Sequence, residues 1–268
     1  VPVMYYISPQ VWAWRRGRTR TIAKLVDKMV VILPFEVDFY KQYGVEVEFV
    51  GHPLLDALQD VPGKDKAREQ LGIDSDAKVV GILPGSRLSE VKKLLGIMLD
   101  AIGEIKETLH DVQFLFPLAN TLSENDLSFV SREKLEMVKV HKGKTSLVMS
   151  ACDLLIAASG TVTLEAAIIG TPLIIIYRLS NLSYYLGKCL IRVPYIGLVN
   201  LVAGECLAPE LVQDDANPGN IAKEAVAILT DKERQLYIKN RFSDVRNSLG
   251  KPGASSRAAR VVMELIGN

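Results

Sequence analysis

Hydrophobic positions along the chain follow two alternating patterns. Short apolar runs rich in β-branched residues are separated by longer stretches in which apolar residues recur every three to four positions. This alternation is typical of parallel sheets whose strands are joined by crossover helices, so the predicted fold class is α/β. The apolar runs predict strands at 2–7, 28–33, 46–50, 78–83, 112–116, 136–140, 153–157 and 172–177.

Helical periodicity fills the segments between these strands. Helices are predicted at 17–26, 35–43, 65–71, 88–109, 123–133, 144–151 and 161–169, and then at 182–191, 218–229, 231–248 and 254–266. The stretch GHPLLDALQDVPGKDK, which begins at Gly51, interrupts the pattern with glycine and proline. It predicts a domain boundary.

Composition narrows the classes of function. The 268 residues are 49% hydrophobic and 24% charged, with a formal charge of +1, which argues against disorder and against a protein whose whole surface binds nucleic acid. The few cysteines and histidines are scattered, so we expect neither disulfides nor a metal cluster. A reducing, cytosolic compartment is the expected location. The most apolar region is broken by Glu165, Gly170 and Pro172 and predicts no membrane-spanning helix.

The first chemical feature is VVGILPGSRLSEVKKLL, where a predicted strand turns into a helix. Gly85, Ser86 and Arg87 occupy the turn. Free amides at a helix N-terminus, joined by a hydroxyl and a guanidinium, suit a phosphate or diphosphate. The alternative is an ordinary strand-to-helix turn with a surface arginine.

The second feature, DLLIAASGTVTLEAA, repeats that arrangement. Ser159, Gly160 and Thr161 form a small-residue turn that lets a ligand approach the backbone closely. Glu165, one turn into the helix, could accept hydrogen bonds from both hydroxyls of a ribose. The alternatives are that Ser159 and Thr161 cap the helix and that Glu165 interacts with its dipole.

Two such turns in one parallel unit predict a ligand that carries a diphosphate. Ligands of open parallel sheets bind outside the carboxyl ends of the strands, where both turns lie. The chain has neither the GxGxxG pattern of dinucleotide folds nor a P-loop. The ligand is therefore predicted to be neither NAD nor ATP held in a P-loop.

Two patches combine basic and aromatic residues. Residues 1–28 contain six lysines or arginines against Asp27 alone, with Trp12 and Trp14 beside them. This favours a membrane interface, an anionic headgroup or nucleic acid; the alternative is a solvated helix with buried tryptophans. A second patch suits lipid contact or burial equally, and comprises Arg178, Tyr184, Tyr185, Leu186, Lys188, Leu190, Ile191 and Arg192.

Two further residues are weaker candidates. His52, in the sequence GHP, could be catalytic, but a histidine beside a linker proline is more often structural. Asn200, in GLVNLVAGE, is an amide in a predicted glycine-flanked loop and on its own indicates a turn residue.

Seven segments occur in a recognisable order: YYISPQVWAWR, LPFEVDFY, FVGHPLLD, LPGSR, ASGTVTLEAA, PLIIIYR and VNLVAGE. Together they resemble the lipid A disaccharide synthase family, bacterial glycosyltransferases of the GT-B fold, over nearly the whole chain. Members of that family carry roughly a hundred further residues of a Rossmann-like N-terminal domain before the YISP segment. The resemblance therefore implies Rossmann-like parallel sheets flanked by helices, with an incomplete N-terminal domain.

The resemblance also implies a division into three parts. Residues 1–54 would be the C-terminal part of the N-terminal acceptor domain, and 55–250 the Rossmann-like domain that binds the nucleotide sugar. Residues 251–268 would form a final helix that crosses back to the N-terminal domain.

The implied reaction is an inverting sugar transfer. A 2,3-diacylglucosamine would move from UDP to the 6-hydroxyl of 2,3-diacylglucosamine 1-phosphate (lipid X), giving lipid A disaccharide 1-phosphate and UDP. No cofactor and no metal are expected, since the UDP-sugar is a substrate. The enzyme would associate peripherally with the cytoplasmic face of the inner membrane, and a homodimer is one of the open oligomeric states.

The resemblance assigns roles to residues in both turns. Arg87 would offset charge on the departing UDP, Glu165 would hold the ribose, and Asn200 would lie close to the donor. The general base is implied to lie upstream of Val1, so the chain alone is expected to bind UDP weakly and to turn over poorly. The residues expected to contact the diphosphate are Gly85, Ser86, Arg87, Ser159, Gly160 and Thr161.

Other functions stay open at this point. A UDP-N-acetylglucosamine 2-epimerase or the peptidoglycan N-acetylglucosamine transferase would share the fold and a similar donor site, but not the VWAWR and VNLVAGE segments. A catalytically silent UDP-sugar-binding module is the alternative from a different class.

Overall fold

The computed structural model describes residues 1–14, 17–179 and 193–267. The chain divides into two compact units. Of the described residues, the first unit contains 1–14, 17–59, 193–194 and 244–267, and the second contains 60–179 and 195–243. One division falls between Gln59 and Asp60, inside the stretch that begins at Gly51. The three-part organisation at 1–54, 55–250 and 251–268 stays a prediction.

The first unit is built on a three-stranded parallel sheet in the order β1-β2-β3. The middle strand, β2, is an apolar run whose last three residues are buried, as expected for a strand covered on both faces. In chain order the elements are β1 (Met4–Tyr6), α1 (Arg18–Leu25), β2 (Lys28–Val31), α2 (Phe35–Lys41), β3 (Val47–Phe49) and α3 (Leu54–Ala57).

The second unit is built on a six-stranded sheet in the order β6-β5-β4-β7-β8-β9, with every pair parallel. Its elements run in chain order as α4 (Lys64–Leu71), β4 (Lys78–Leu83), α5 (Leu88–Thr108), β5 (Val112–Leu118), a 3₁₀ turn (Glu124–Leu127), α6 (Arg132–Leu135), β6 (Lys139–Lys142), α7 (Thr145–Ala151), β7 (Leu154–Ala158), α8 (Val162–Ile169), β8 (Leu173–Tyr177), α9 (Leu198–Ala203), β9 (Glu210–Val212), a second 3₁₀ turn (Gln213–Asp215) and α10 (Pro218–Thr230).

The central strands β4 and β7 fix the core of this unit. Every residue of β7, and every residue of β4 after Lys78, is buried. Two amphipathic helices, α5 and α10, bury their apolar faces in the same cluster, through residues such as Leu95, Met98, Ile221 and Ile228. The strands that end at the carboxyl edge of the sheet are therefore held in place by a closely packed core.

The last two helices are α11 (Lys232–Ser248) and α12 (Ala254–Gly267). Within the first unit, α12 packs Ala258 and Val261 against Val30 and Val50. Its N-terminus is capped from far away in sequence, because the carboxylate of Asp56 accepts hydrogen bonds from the backbone amides that precede and begin the helix. No helix in the described ranges is both long and apolar enough to cross a bilayer.

The α/β class with parallel sheets is confirmed, and most element predictions hold within a few residues. One predicted helix, 123–133, is wrong. Ser123 forms a capping box with Asp126 and Ser131 caps α6, so two serines split the segment into a 3₁₀ turn and a separate short helix.

The strand predicted at 136–140 lies later, at Lys139–Lys142. Met137 and Val138 instead pack on the core before the strand begins. The short elements α9 and β9 were not predicted, and the helix expected at 182–191 lies outside the described residues.

Candidate functional site

The second unit brings both predicted phosphate-binding turns to one edge of its sheet. β4 and β7 are direct neighbours, with Leu83 opposite Ala157. Each turn follows the carboxyl end of its strand, and neighbouring strands lie about 4.8 Å apart. The two turns therefore leave the sheet side by side, where ligands of open parallel sheets bind.

The first turn requires its glycine. Gly85 has a φ of +115°, and a Cβ at this position would collide with the side chain of Glu90. Arg87 Nη1 donates a hydrogen bond to Glu90 Oε1 at 2.9 Å, while 79% of the Arg87 side chain stays exposed. Such an exposed ion pair is worth only about 0 to 1 kcal/mol, so the guanidinium can be transferred to a ligand at little cost.

The turn has a further contact that the sequence did not reveal. Thr121, just beyond the end of β5, donates its hydroxyl to the carbonyl oxygen of Ser86 at 2.8 Å. Because β5 is the other neighbour of β4, Thr121 lies at the same edge of the sheet. The only sequence signal for it is its position after a predicted strand.

The second turn is held by its surroundings. The amide of Ser159 donates to the carbonyl of Ile176 at 3.1 Å, and its hydroxyl donates to the carbonyl of Ile196 at 3.3 Å. Neither Ser159 nor Thr161 caps α8 with its side chain, so the capping alternative does not describe this turn. A Cβ at Gly160 would meet no atom within 4 Å, which leaves its backbone open to a ligand.

Glu165 lies one turn into α8, as the sequence predicted. Burial raises the pKa of its carboxyl group, and a hydrogen bond from Thr161 Oγ1 at 3.3 Å partly opposes this shift. A half-buried carboxylate beside the turn can accept hydrogen bonds from sugar hydroxyls. Its assignment to the ribose stays a prediction.

Asn200 is not in a loop, which corrects the sequence-based interpretation. It lies in α9, fully buried, and its amide nitrogen donates to Ala208 O at 2.7 Å and to Glu210 Oε1 at 2.8 Å. Its side-chain oxygen accepts from the backbone amides of Leu207 and Ala208, both at 2.9 Å. The hydrogen-bonding capacity of this amide is therefore used within the protein.

Glu210, which sequence reasoning missed, is the second centre of this network. Its Oε2 accepts from the amide of Ile196 at 2.8 Å, and its Oε1 accepts from the amide of Gly197 at 2.9 Å. One carboxylate thus fixes the segment whose carbonyl accepts from Ser159.

The remaining candidates have mostly structural surroundings. Trp12 is buried and donates its indole N–H to Glu36 Oε1 at 3.0 Å, whereas 41% of Trp14 is exposed. His52 is buried, its Nδ1 accepts from the amide of Leu54, and burial lowers its pKa to about 4, so it is neutral at pH 7.

The basic patches are described only in part. Arg178 Nε donates to the carbonyl of Gln213 at 3.1 Å. Outside the described residues lie Arg15, Arg16, Tyr184, Tyr185, Leu186, Lys188, Leu190, Ile191 and Arg192. Across the described part of the chain, no group of three His, Cys, Asp or Glu side chains is placed to hold a metal ion.

Comparison with solved structures shows the fold. The UDP-GlcNAc 2-epimerase from Neisseria meningitidis bound to UDP-GlcNAc is similar with a TM-score of 0.65 and 13% identity, over 98% of this chain and 70% of that chain. The glycosyltransferase WaaG, which is involved in lipopolysaccharide biosynthesis, is similar with a TM-score of 0.56 and 15% identity, over 90% of this chain and 63% of that one. The neighbours include GT-B glycosyltransferases, which agrees with the predicted architecture.

Comparison of sequences is more specific. The lipid-A-disaccharide synthase of Syntrophus aciditrophicus is 49% identical over 99% of this chain, which spans 70% of that relative's length. The family model for lipid-A-disaccharide synthetase matches residues 1–265. This chain, with its two turns at the edge of a parallel sheet, belongs to the lipid-A-disaccharide synthetase family.

Proposed function

We propose that the second unit binds UDP-2,3-diacylglucosamine through the two turns and presents it for transfer to lipid X. Family membership makes the chain a glycosyltransferase of lipid A biosynthesis. The observation that carries the finer proposal is the register of β4 and β7, which places Arg87 and the Ser159–Thr161 turn at neighbouring strand ends.

In this proposal the chain supplies binding and charge stabilisation. The amides of both turns and the Arg87 guanidinium hold the diphosphate, so that the charge that develops on UDP as the glycosidic bond breaks is offset by Arg87 rather than by a metal. Glu165 accepts the ribose hydroxyls. We assign no general base to this chain.

We further propose that the first unit contributes a membrane-facing surface for the lipid substrates. Leu25 and Trp14 are exposed, at 66% and 41%, and Arg18, Arg20 and Lys24 are exposed beside them in sequence. Apolar and basic side chains together suit an anionic bilayer surface, which supports peripheral association with the cytoplasmic face of the inner membrane.

The experiment that tests the proposal separates donor binding from turnover. Unlabelled UDP-2,3-diacylglucosamine should displace radiolabelled UDP from the chain. Mass spectrometry should detect disaccharide 1-phosphate when lipid X is added to the chain together with this donor. Failure of the diacylated donor to displace UDP, together with epimerisation of UDP-GlcNAc, would move the assignment to the epimerase alternative.

A further inference from the structure

The segment that precedes α9 is fixed more firmly than its sequence suggests. A Cβ at Gly197 would displace the Cδ1 methyl group of Ile175 in β8 and lie 3.3 Å from Glu210 Oε1. The amides of Ile196 and Gly197 both donate to the Glu210 carboxylate. The path of this segment is therefore set by one side chain at the start of β9.

The Glu210 carboxylate is itself held by its surroundings. Its three donors among the described residues are two backbone amides and the side chain of Asn200, at 2.8 to 2.9 Å. Asn200 is in turn bonded to Leu207 and Ala208, so the whole cluster is closed by hydrogen bonds. Closed polar clusters of this kind allow one arrangement and resist partial rearrangement.

A hydrogen bond links this cluster to the proposed diphosphate site. The carbonyl of Ile196 accepts from the hydroxyl of Ser159 at 3.3 Å, and Ser159 belongs to the turn that follows β7. We infer that Glu210 is a positioning residue for the nucleotide site, which orients the Ser159 hydroxyl through the Ile196 carbonyl. This inference rests on the proposed function, since it concerns the same site.

The discriminating substitution is Glu210→Gln. The amide group of glutamine replaces one carboxylate oxygen by a donor, so in either orientation at least one donor of the cluster faces another donor. We expect UDP affinity, measured by titration calorimetry, to fall about tenfold, since the displaced Ile196 carbonyl no longer orients the Ser159 hydroxyl and one hydrogen bond to the ligand is weakened. The matched control is Glu136→Gln, whose carboxylate pairs with Arg132 at 2.9 Å just before β6, at the opposite edge of the sheet from β9, and should leave UDP affinity unchanged.

A double-mutant cycle separates positioning from mere stability. If Glu210 acts through Ser159, the effects of Glu210→Gln and Ser159→Ala on UDP affinity will not multiply, because the second change removes the hydroxyl on which the first acts. Multiplicative effects, or an unchanged affinity in a Glu210→Gln protein whose circular dichroism is native, would overturn the inference.

Glu210→Asp replaces Glu210→Gln where the glutamine variant does not fold, because it keeps both carboxylate oxygens on a shorter side chain. The same fall in UDP affinity and the same coupling to Ser159→Ala are then expected. A wild-type chain that binds no UDP overturns both the proposed function and this inference, whereas UDP binding that Glu210 does not influence overturns the inference alone.

Discussion

The two turns at the edge of the six-stranded sheet occupy equivalent places but are built differently. The turn after β4 carries charge on an exposed arginine, whose partner Glu90 lies in the first turn of α5. The turn after β7 has no charged residue at Ser159–Thr161 and is fixed by Ile196, and through it by Glu210. The first turn thus supplies a charged side chain that can move to meet a ligand. The second turn supplies a backbone whose position is already fixed by hydrogen bonds.

Their glycines differ in the same way. Gly85 is required by the conformation of its turn, because its φ is +115° and a Cβ there would collide with Glu90. A Cβ at Gly160 would meet no atom within 4 Å, so this glycine has no such constraint. A glycine that the fold does not need, in a turn aimed at a proposed ligand, fits a place where a phosphate approaches the backbone.

The largest effect is expected from Arg87→Ala. Loss of a charge-assisted contact should weaken UDP binding by about 1.5 to 3 kcal/mol in calorimetry. Arg132→Ala is a suitable control, since Arg132, at the start of α6, also forms an exposed ion pair, with Glu136 just after that helix. Equal affinities of Arg87→Ala and wild type would return Arg87 to the role of a surface residue.

The glycines provide the second test. Gly85→Ala should lower the free energy of unfolding by about 1 to 2 kcal/mol, because a side chain at that φ is strained and meets Glu90. Gly160→Ala should leave the free energy of unfolding unchanged and weaken UDP binding. Denaturant titration and calorimetry on both variants check this, and the comparison of the turns fails if Gly160→Ala binds UDP like wild type.

The smallest effect concerns pH. Burial raises the pKa of Glu165, so its carboxyl stays protonated to a higher pH than usual, and UDP affinity should rise with pH as the carboxylate forms. The effect of pH on stability has the opposite sign. The folded state binds this proton more tightly than the unfolded state, so the contribution of Glu165 to the free energy of unfolding falls as pH rises through its raised pKa.

Glu165→Gln should therefore remove the contribution of this carboxyl to the pH profile of UDP affinity and raise the melting temperature at neutral pH. Wild-type and Glu165→Gln profiles that coincide would assign binding to the first turn alone.

The sequence predicts the sheet well because β4 and β7 are apolar runs that only a buried parallel sheet accommodates. It also places both turns, since they follow those strands directly. It does not predict Glu210, because β9 has only three residues and its contact with Ile196 and Gly197 depends on the pairing of β9 with β8. The Asn200 amide likewise has its partners several residues further along the chain, which no local pattern reveals.

The two turns together are proposed to form a diphosphate site that needs no metal. Titration calorimetry of the wild-type chain with UDP, with and without a divalent-metal chelator, measures this. We predict UDP binding with nearly the same affinity in both conditions. No detectable binding, or binding that disappears with the chelator and returns with Mg²⁺ or Mn²⁺, would contradict a metal-independent diphosphate site.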